Sequence, residues 1–281
     1  MTKLAEQFLQ LFRGSERAHG FFEIKKDRGD GKKQGKAITI KTSGPTVALW
    51  HQHLEGEYGL GVIPITDSNE CFWGCIDVDV YPLDLAELIK NIEKQKLPLV
   101  VCRSKSGGAH VLLFVSEPVE AGDMQDKLRE VAAGLGYGGL EIFPKQRQVL
   151  ADRGDIGSWL NMPYFGGDNS TRYALSDKNK ALSMEEFLAY AIERQVASVD
   201  DLFKIKVQTI VDDLEHGPPC LKILLKQGFP EGTRNNGLFN VAVYLQKAYP
   251  GDWETKLEEY NRKYFNPPLP ASEVLSLIQQ H

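Results

Sequence analysis

Apolar residues recur along this chain with two spacings, and the changes from one to the other outline its elements. Leu4, Phe8, Leu11 and Phe12 fall at helical spacing and Gly14 follows as a stop, which predicts a helix over 3–13. FFEIKKDRGDGKKQGKAITIK alternates on either side of a tip rich in Gly, Lys and Asp, the pattern of a hairpin. TVALWHQHLEG then reads as a short helix and YGLGVIPIT as a strand. The central part is the best defined. A strand at about 72–80 is followed by the helix DLAELIKNIEKQ, with Leu85, Leu88, Ile89 and Ile92 on one face. Strands LPLVVCRS and AHVLLFV come next. The helix DMQDKLREVAAGLGYG turns Met124, Leu128, Val131 and Leu135 inward and is closed by glycines, and GLEIFP is the last strand.

The order βαββαβ is the split βαβ arrangement of ferredoxin-like and RRM-like sheets. The fold class expected is therefore α/β (α+β): an RRM-like palm behind an N-terminal α/β extension, with helices over one face of a four-stranded sheet and the other face open. From about residue 176 the pattern is helical throughout: SMEEFLAYAIERQ, CLKILLKQ, NNGLFNVAVYLQKAY, DWETKLEEYNRKYF and EVLSLIQQH. Pro218–Pro219 and Pro267–Pro268 mark breaks, and an acidic link runs near VDDLEHGPP. Two domains are predicted, 1–200 and a small all-helical one over 201–281, the latter with Leu238, Val241, Ala242 and Leu245 in its core.

Composition narrows the partners. With a formal net charge of −5, a polyanion would have to be held by local patches rather than by the overall field. One such run extends from Arg13 to Lys41, nine Lys/Arg against four Asp/Glu; it is either a solvated loop or a basic arm for a phosphate backbone. Cys71, Cys75, Cys102 and Cys220 have no zinc-finger spacing and read as reduced core thiols. The N-terminus is amphipathic and contains acid, and no apolar run approaches about 18 residues, so a soluble cytoplasmic protein is expected.

One stretch resists a purely structural reading. In FWGCIDVDVYP, strand alternation puts Trp73, Cys75, Asp77 and Asp79 on one face and Phe72, Gly74, Ile76, Val78 and Val80 on the other. The two acids are then about 6–7 Å apart at Cα, within reach of one divalent cation or a two-metal site. Without a cation they repel, and one pKa rises. The plainer alternative is a pair of acids on a solvated strand face, which the apolar neighbours argue against. Glu141, flanked by Leu140 and Ile142, is the third candidate ligand, or else surface decoration. Between these acids lies VVCRSKSGGAHVLLFV. Its glycines Gly107 and Gly108 permit a tight path. Backbone N–H groups, Arg103, Lys105, Ser106 and His110 could then converge on a triphosphate; His110 alone could equally be a core histidine. The loop is not a Walker motif, because no GK[ST] opens a helix. Farther on, GTRNN places Arg234 and Asn235 at a helix start, either as a phosphate contact or as a cap with an exposed Arg. Tyr81, two residues past Asp79, lies near a sugar or simply packs.

IDVDVY, RSKSGGAHV, LEIFPKQ and GSWLNMPYF occur in the order and rough spacing of the archaeo-eukaryotic primase superfamily. The chain most resembles its primase-polymerases of phages, CRISPR-linked loci and TOTE conflict systems, over roughly residues 45–175. HLEGEYGLGVIPI is similar to the lead-in to their first motif. The resemblance implies template-directed nucleotidyl transfer at two divalent ions, Mg²⁺ or Mn²⁺, with Asp77, Asp79 and Glu141 as ligands. His110 would match the histidine of the SxH motif. Gly108 stands where that motif has Ser, so the hydroxyl is displaced to Ser106. Lys145 would be a further phosphate contact, Asn161 a pocket wall and Arg172 another nucleotide contact. Single-stranded DNA template, primer and NTP or dNTP are the implied partners, with a helicase as a downstream domain or separate protein, no membrane, and a prokaryotic or phage origin. The helical region resembles what several such enzymes use to hold template or initiating nucleotide. A palm nuclease or cyclase would use the acids but would not need RSKSGGAH, and a catalytically silent nucleic-acid-binding replication factor would need neither.

Overall fold

A computed structural model describes residues 2–27, 33–207, 214, 217–229, 232–265 and 267–279. The hairpin tip at 28–32 and most of the acidic link at 211–216 lie outside the described residues. The chain divides into two compact units, Met1–Leu135 with Gly139–Val207, and Gly136–Gly138 with Gln208–His281.

The first unit opens with α1 (Thr2–Leu11), the hairpin β1 (His19–Asp27) and β2 (Lys33–Ile40), α2 (Val47–Leu54) and β3 (Leu60–Val62). Thr46 starts α2 by accepting from the Leu49 N–H, one of the donors a helix start leaves without an internal partner. Then come β4 (Glu70–Val78), α3 (Leu85–Lys94, capped by Asp84), β5 (Leu99–Arg103), β6 (Ala109–Glu120), α4 (Ala121–Gly134) and β7 (Glu141–Phe143). The unit ends with β8 (Leu160–Asn161), β9 (Ala174–Leu175), α5 (Met184–Glu193) and α6 (Val199–Lys204), and α5 begins with a Ser183/Glu186 capping box. The second unit contains α7 (Pro219–Gln227), α8 (Arg234–Ala248), α9 (Trp253–Tyr264) and α10 (Ala271–Gln279), around a core that includes Leu238, Val241, Ala242 and Leu245.

Two antiparallel sheets form. The N-terminal one has the order β2-β1-β3-β8 and the palm sheet has β7-β4-β6-β5-β9. Within the palm, the four strands of βαββαβ take the split βαβ order, so the RRM-like α+β class holds. The short β9 adds a fifth strand beside β5, a two-residue pairing with Val101 and Cys102 that leaves almost no periodicity to read.

The expectation of an open sheet face is corrected. Gly74 lies against α4, where a Cβ would fall 2.7 Å from Met124 Cγ, so one face is covered by the crossover helix. The other face is covered too over its first half. Trp73 and Cys75 are fully buried in the aromatic core that contains Phe8, Phe12, Trp50, Tyr164 and Phe187. The Trp73 ring meets Phe12 edge-on at 5.3 Å, and its Nε1 donates to the Arg13 carbonyl at 3.0 Å. Burying each large apolar side chain this way contributes about 2–3 kcal/mol. FWGCI is apolar on both alternations because both faces are packed. The face opens only where the sequence turns acidic. The thiols of Cys71, Cys75 and Cys102 are buried, as expected, but Cys220 is exposed. Among the described residues no helix is long and apolar enough to cross a membrane.

Candidate active site

Asp77 is the last inward-facing residue of β4, and strand pairing surrounds it. It lies opposite Glu141 of β7 on one side and His110 of β6 on the other. Asp79 falls one residue past the end of the strand, so the pair is split between a fixed and an exposed position. Tyr81 OH donates to Asp79 Oδ1 at 2.9 Å while its ring stays 54% exposed, so it is not core packing.

Three charges crowd this corner. Burial, then the charges of Asp79 and Glu141, push the Asp77 carboxyl up to about 6, partly offset by Lys145. Burial, then the Arg172 guanidinium, push His110 down to about 4, against the pull of Asp79. His110 Nε2 stands 3.6 Å from Asp77 Oδ1, and at neutral pH the two meet as imidazole and carboxylate rather than as an ion pair. Glu141 is mostly exposed and is held by Lys145 Nζ at 2.7 Å.

The turn between β5 and β6 is shaped by its glycines. Ser104 N–H donates to the Gly108 carbonyl at 2.9 Å, and Gly107 takes φ +94°, a conformation that suits glycine. A Cβ at Gly108 would overlap the Val78 carbonyl, so the serine of the SxH pattern has no room there. Ser106 does approach the acids: its Oγ is 3.5 Å from Asp79 Oδ1, with the buried Ser104 hydroxyl 3.3 Å behind it. Ser104 was not singled out from the sequence, although it lies inside the RSKS stretch. Arg103 reaches back to the Thr171 carbonyl at 3.5 Å, and Lys105 Nζ lies 3.9 Å over the ring of Phe22 in the N-terminal sheet.

Arg172 is only 7% exposed. Its guanidinium donates a long hydrogen bond, 3.5 Å, to the Met162 carbonyl, and among the described residues it has no carboxylate partner. A buried guanidinium in that state favours an anion. Asn161 pairs with Gly61 in the N-terminal sheet, and its Oδ1 is buried without a hydrogen-bond partner among the described residues. Nearby His53, missed in the sequence, is fully buried: Nε2 donates to the Pro163 carbonyl at 2.8 Å and Nδ1 accepts from Leu60 N–H at 3.1 Å, which holds the ring neutral. In the second unit, Arg234 donates to the Pro267 carbonyl at 2.6 Å and Asn235 to Glu273 at 3.2 Å. Both hydrogen bonds lie at the surface of that unit, with Asn235 exposed and Arg234 half-buried.

Among the described residues no three carboxylate, imidazole or thiol groups are already drawn around one point. The donor chemistry nevertheless fits a hard divalent cation. Three carboxylates bring oxygen ligands to one corner, and the cost of holding Asp77 ionised there, set by its burial and then by the charges of Asp79 and Glu141, is what such a cation relieves.

No curated protein matches the chain. Among solved structures, the archaeo-eukaryotic primase domain of the cyanophage S-2L primase-polymerase is similar over 68% of this chain and 98% of that one, at 12% identity and a TM-score of 0.36. The family model described as the archaeo-eukaryotic primase domain of TOTE conflict systems matches residues 25–189, more than half of the chain and all the palm residues above. With this match, the chain belongs to the archaeo-eukaryotic primase superfamily, in the group typified by TOTE conflict systems.

Proposed function

We propose that this protein is a DNA primase-polymerase that joins nucleotides on a single-stranded DNA template. The observation that carries the reading is the register of β7, β4 and β6, which sets Glu141, Asp77 and His110 side by side, next to a turn bearing Arg103, Lys105 and Ser106.

Asp77, Asp79 and Glu141 would hold two divalent ions, Mg²⁺ or Mn²⁺. When bound, these ions lower the pKa of the attacking 3′-hydroxyl, align it with the α-phosphate and stabilise the departing pyrophosphate. The chain's own groups do the rest. Neutral His110 offers an N–H to a phosphate oxygen without adding charge beside Asp77. Arg172 supplies the charge from behind, and its burial strengthens its attraction to an anion. Lys145, paired with Glu141 at 2.7 Å, would be a further phosphate contact, and Lys105 and Arg103 would offset the charge of the triphosphate. Tyr81 and Ser106 hold Asp79 in place at the end of the strand. A 3′-hydroxyl from a primer makes the reaction extension; one from a second nucleotide makes it priming.

The test is incorporation of labelled NTPs and dNTPs, with Mg²⁺ or Mn²⁺, on primed and unprimed single strands, with an Asp77→Ala/Asp79→Ala variant alongside. Metal-dependent products that vanish in the variant support the reading. A folded protein that binds DNA but makes no product under any of these conditions contradicts it.

A further inference from the structure

A second surface of the first unit carries chemistry that the acidic corner does not use. In the N-terminal sheet Gly20 pairs with Gly61, and Gly61 with Asn161, so these residues share one face with Phe22, two positions along from Gly20. That face points away from the aromatic core, which takes Leu60, Val62 and Leu160 from the alternate positions. Rings cover its glycines. A Cβ at Gly20 or at Gly61 would overlap the indole of Trp159, and one at Gly35 would overlap the ring of Phe22.

Trp159 is fixed by its Nε1, which donates to Thr39 Oγ1 at 3.1 Å, and both rings are half-buried rather than sealed. The ammonium over Phe22 belongs to Lys105, in the turn whose Ser106 reaches Asp79. The face is therefore continuous with the acidic corner and has a cation at the junction.

We propose that this glycine-floored aromatic face is a platform on which bases of the single-stranded template stack as the strand passes toward Asp77. The proposal rests on the nucleotidyl-transfer reading and names the surface that holds its template. Aromatic rings beside a cation are the general means of binding single strands without regard to sequence, because every base has a π-face and every step a phosphate. Two rings on neighbouring positions suit successive bases of a strand better than the single base of a nucleotide. The bare glycines matter because any side chain at 20, 35 or 61 would lift the rings from the sheet.

The test is fluorescence anisotropy of a labelled oligo-dT with the full chain, in the absence of nucleotide and metal. Phe22→Leu keeps the apolar volume and removes the π-face, and is expected to weaken binding about tenfold. Trp159→Leu is expected to weaken it by a similar factor, while Trp159→Phe stays within about threefold. Asp77→Asn should bind oligo-dT as the wild type does while losing incorporation, which separates this surface from catalysis; a wild-type protein that binds oligo-dT normally but incorporates nothing would fault only the catalytic reading. Wild-type affinity in a folded Phe22→Leu protein would overturn the proposal. So would variants that raise the KM for nucleotide while binding oligo-dT normally, because the rings would then serve the nucleotide.

Discussion

The two halves of β4 present the same face of the same strand and meet opposite fates. Trp73 and Cys75 are sealed into an aromatic core, while Asp77, two residues on, opens into a corner of like charges. The first half contributes stability and has no evident chemistry. The second half forgoes stability, because a half-buried carboxylate raised to about 6 is held against its preference by the fold around it. Rigid anchoring of the strand by Trp73 is what allows Asp77 to be held in an unfavourable place.

That contrast predicts opposite responses to substitution. Asp77→Asn should cost at least about 10³-fold in incorporation, the scale of removing a group that acts only at the reacting phosphate. The same change removes the crowding, so without metal at pH 7.5 the melting temperature should rise, reflecting a gain on the order of 1–3 kcal/mol. Calorimetry alongside the activity assay reads both signs, and a less stable Asp77→Asn protein would break the comparison. Trp73→Ala is the counterpart. It should lose about 3–5 kcal/mol in denaturant unfolding through the cavity it leaves.

Acid titration distinguishes the buried groups. His53 is kept neutral at a pKa of about 4, below the unfolded value of about 6.5, so the unfolded chain takes up the proton first. The stability this gives is complete above about pH 6.5 and lost as the pH falls toward 4, an amount on the order of 3 kcal/mol. Asp77 works in the other direction, because its penalty is relieved as the pH drops below about 6. Melting curves between pH 7.5 and 4.5 should therefore fall more steeply for Asp77→Asn, which lacks the opposing group, than for the wild type. A smaller effect is expected at the turn. Gly108→Ser restores the SxH spelling but drives a Cβ into the Val78 carbonyl, so it should cost about 1–3 kcal/mol in thermal or denaturant unfolding and lower rather than raise incorporation.

The palm was legible because its signals are local. Alternation put both acids on one side of a strand, helical spacing placed α3 and α4, and the motif order placed Glu141 and His110 on strands that prove to be neighbours of β4. Contacts between distant segments were not legible. Nothing in the spacing of FWGCI says which element covers Trp73, although an apolar run on both alternations was itself the sign of a strand packed on two sides. Lys105 could be read as a phosphate ligand but not as a side chain lying over Phe22, more than eighty residues earlier in the chain. The hydrogen bonds of Arg234 and Asn235 depend on where Pro267 and Glu273 return, which helix periodicity does not encode. β9 was too short to leave a pattern.

The measurement that bears most directly on the central claim is the number of Mn²⁺ ions bound per chain, followed by electron paramagnetic resonance with and without a non-hydrolysable dNTP. The account predicts two ions in the presence of the nucleotide, weaker binding in its absence, and loss of the tight component in Asp77→Asn while the protein stays folded. Mn²⁺ binding that is the same in wild type and Asp77→Asn, or that ignores the nucleotide, would contradict the assignment of Asp77, Asp79 and Glu141 as the metal-holding acids of a nucleotidyl-transfer site.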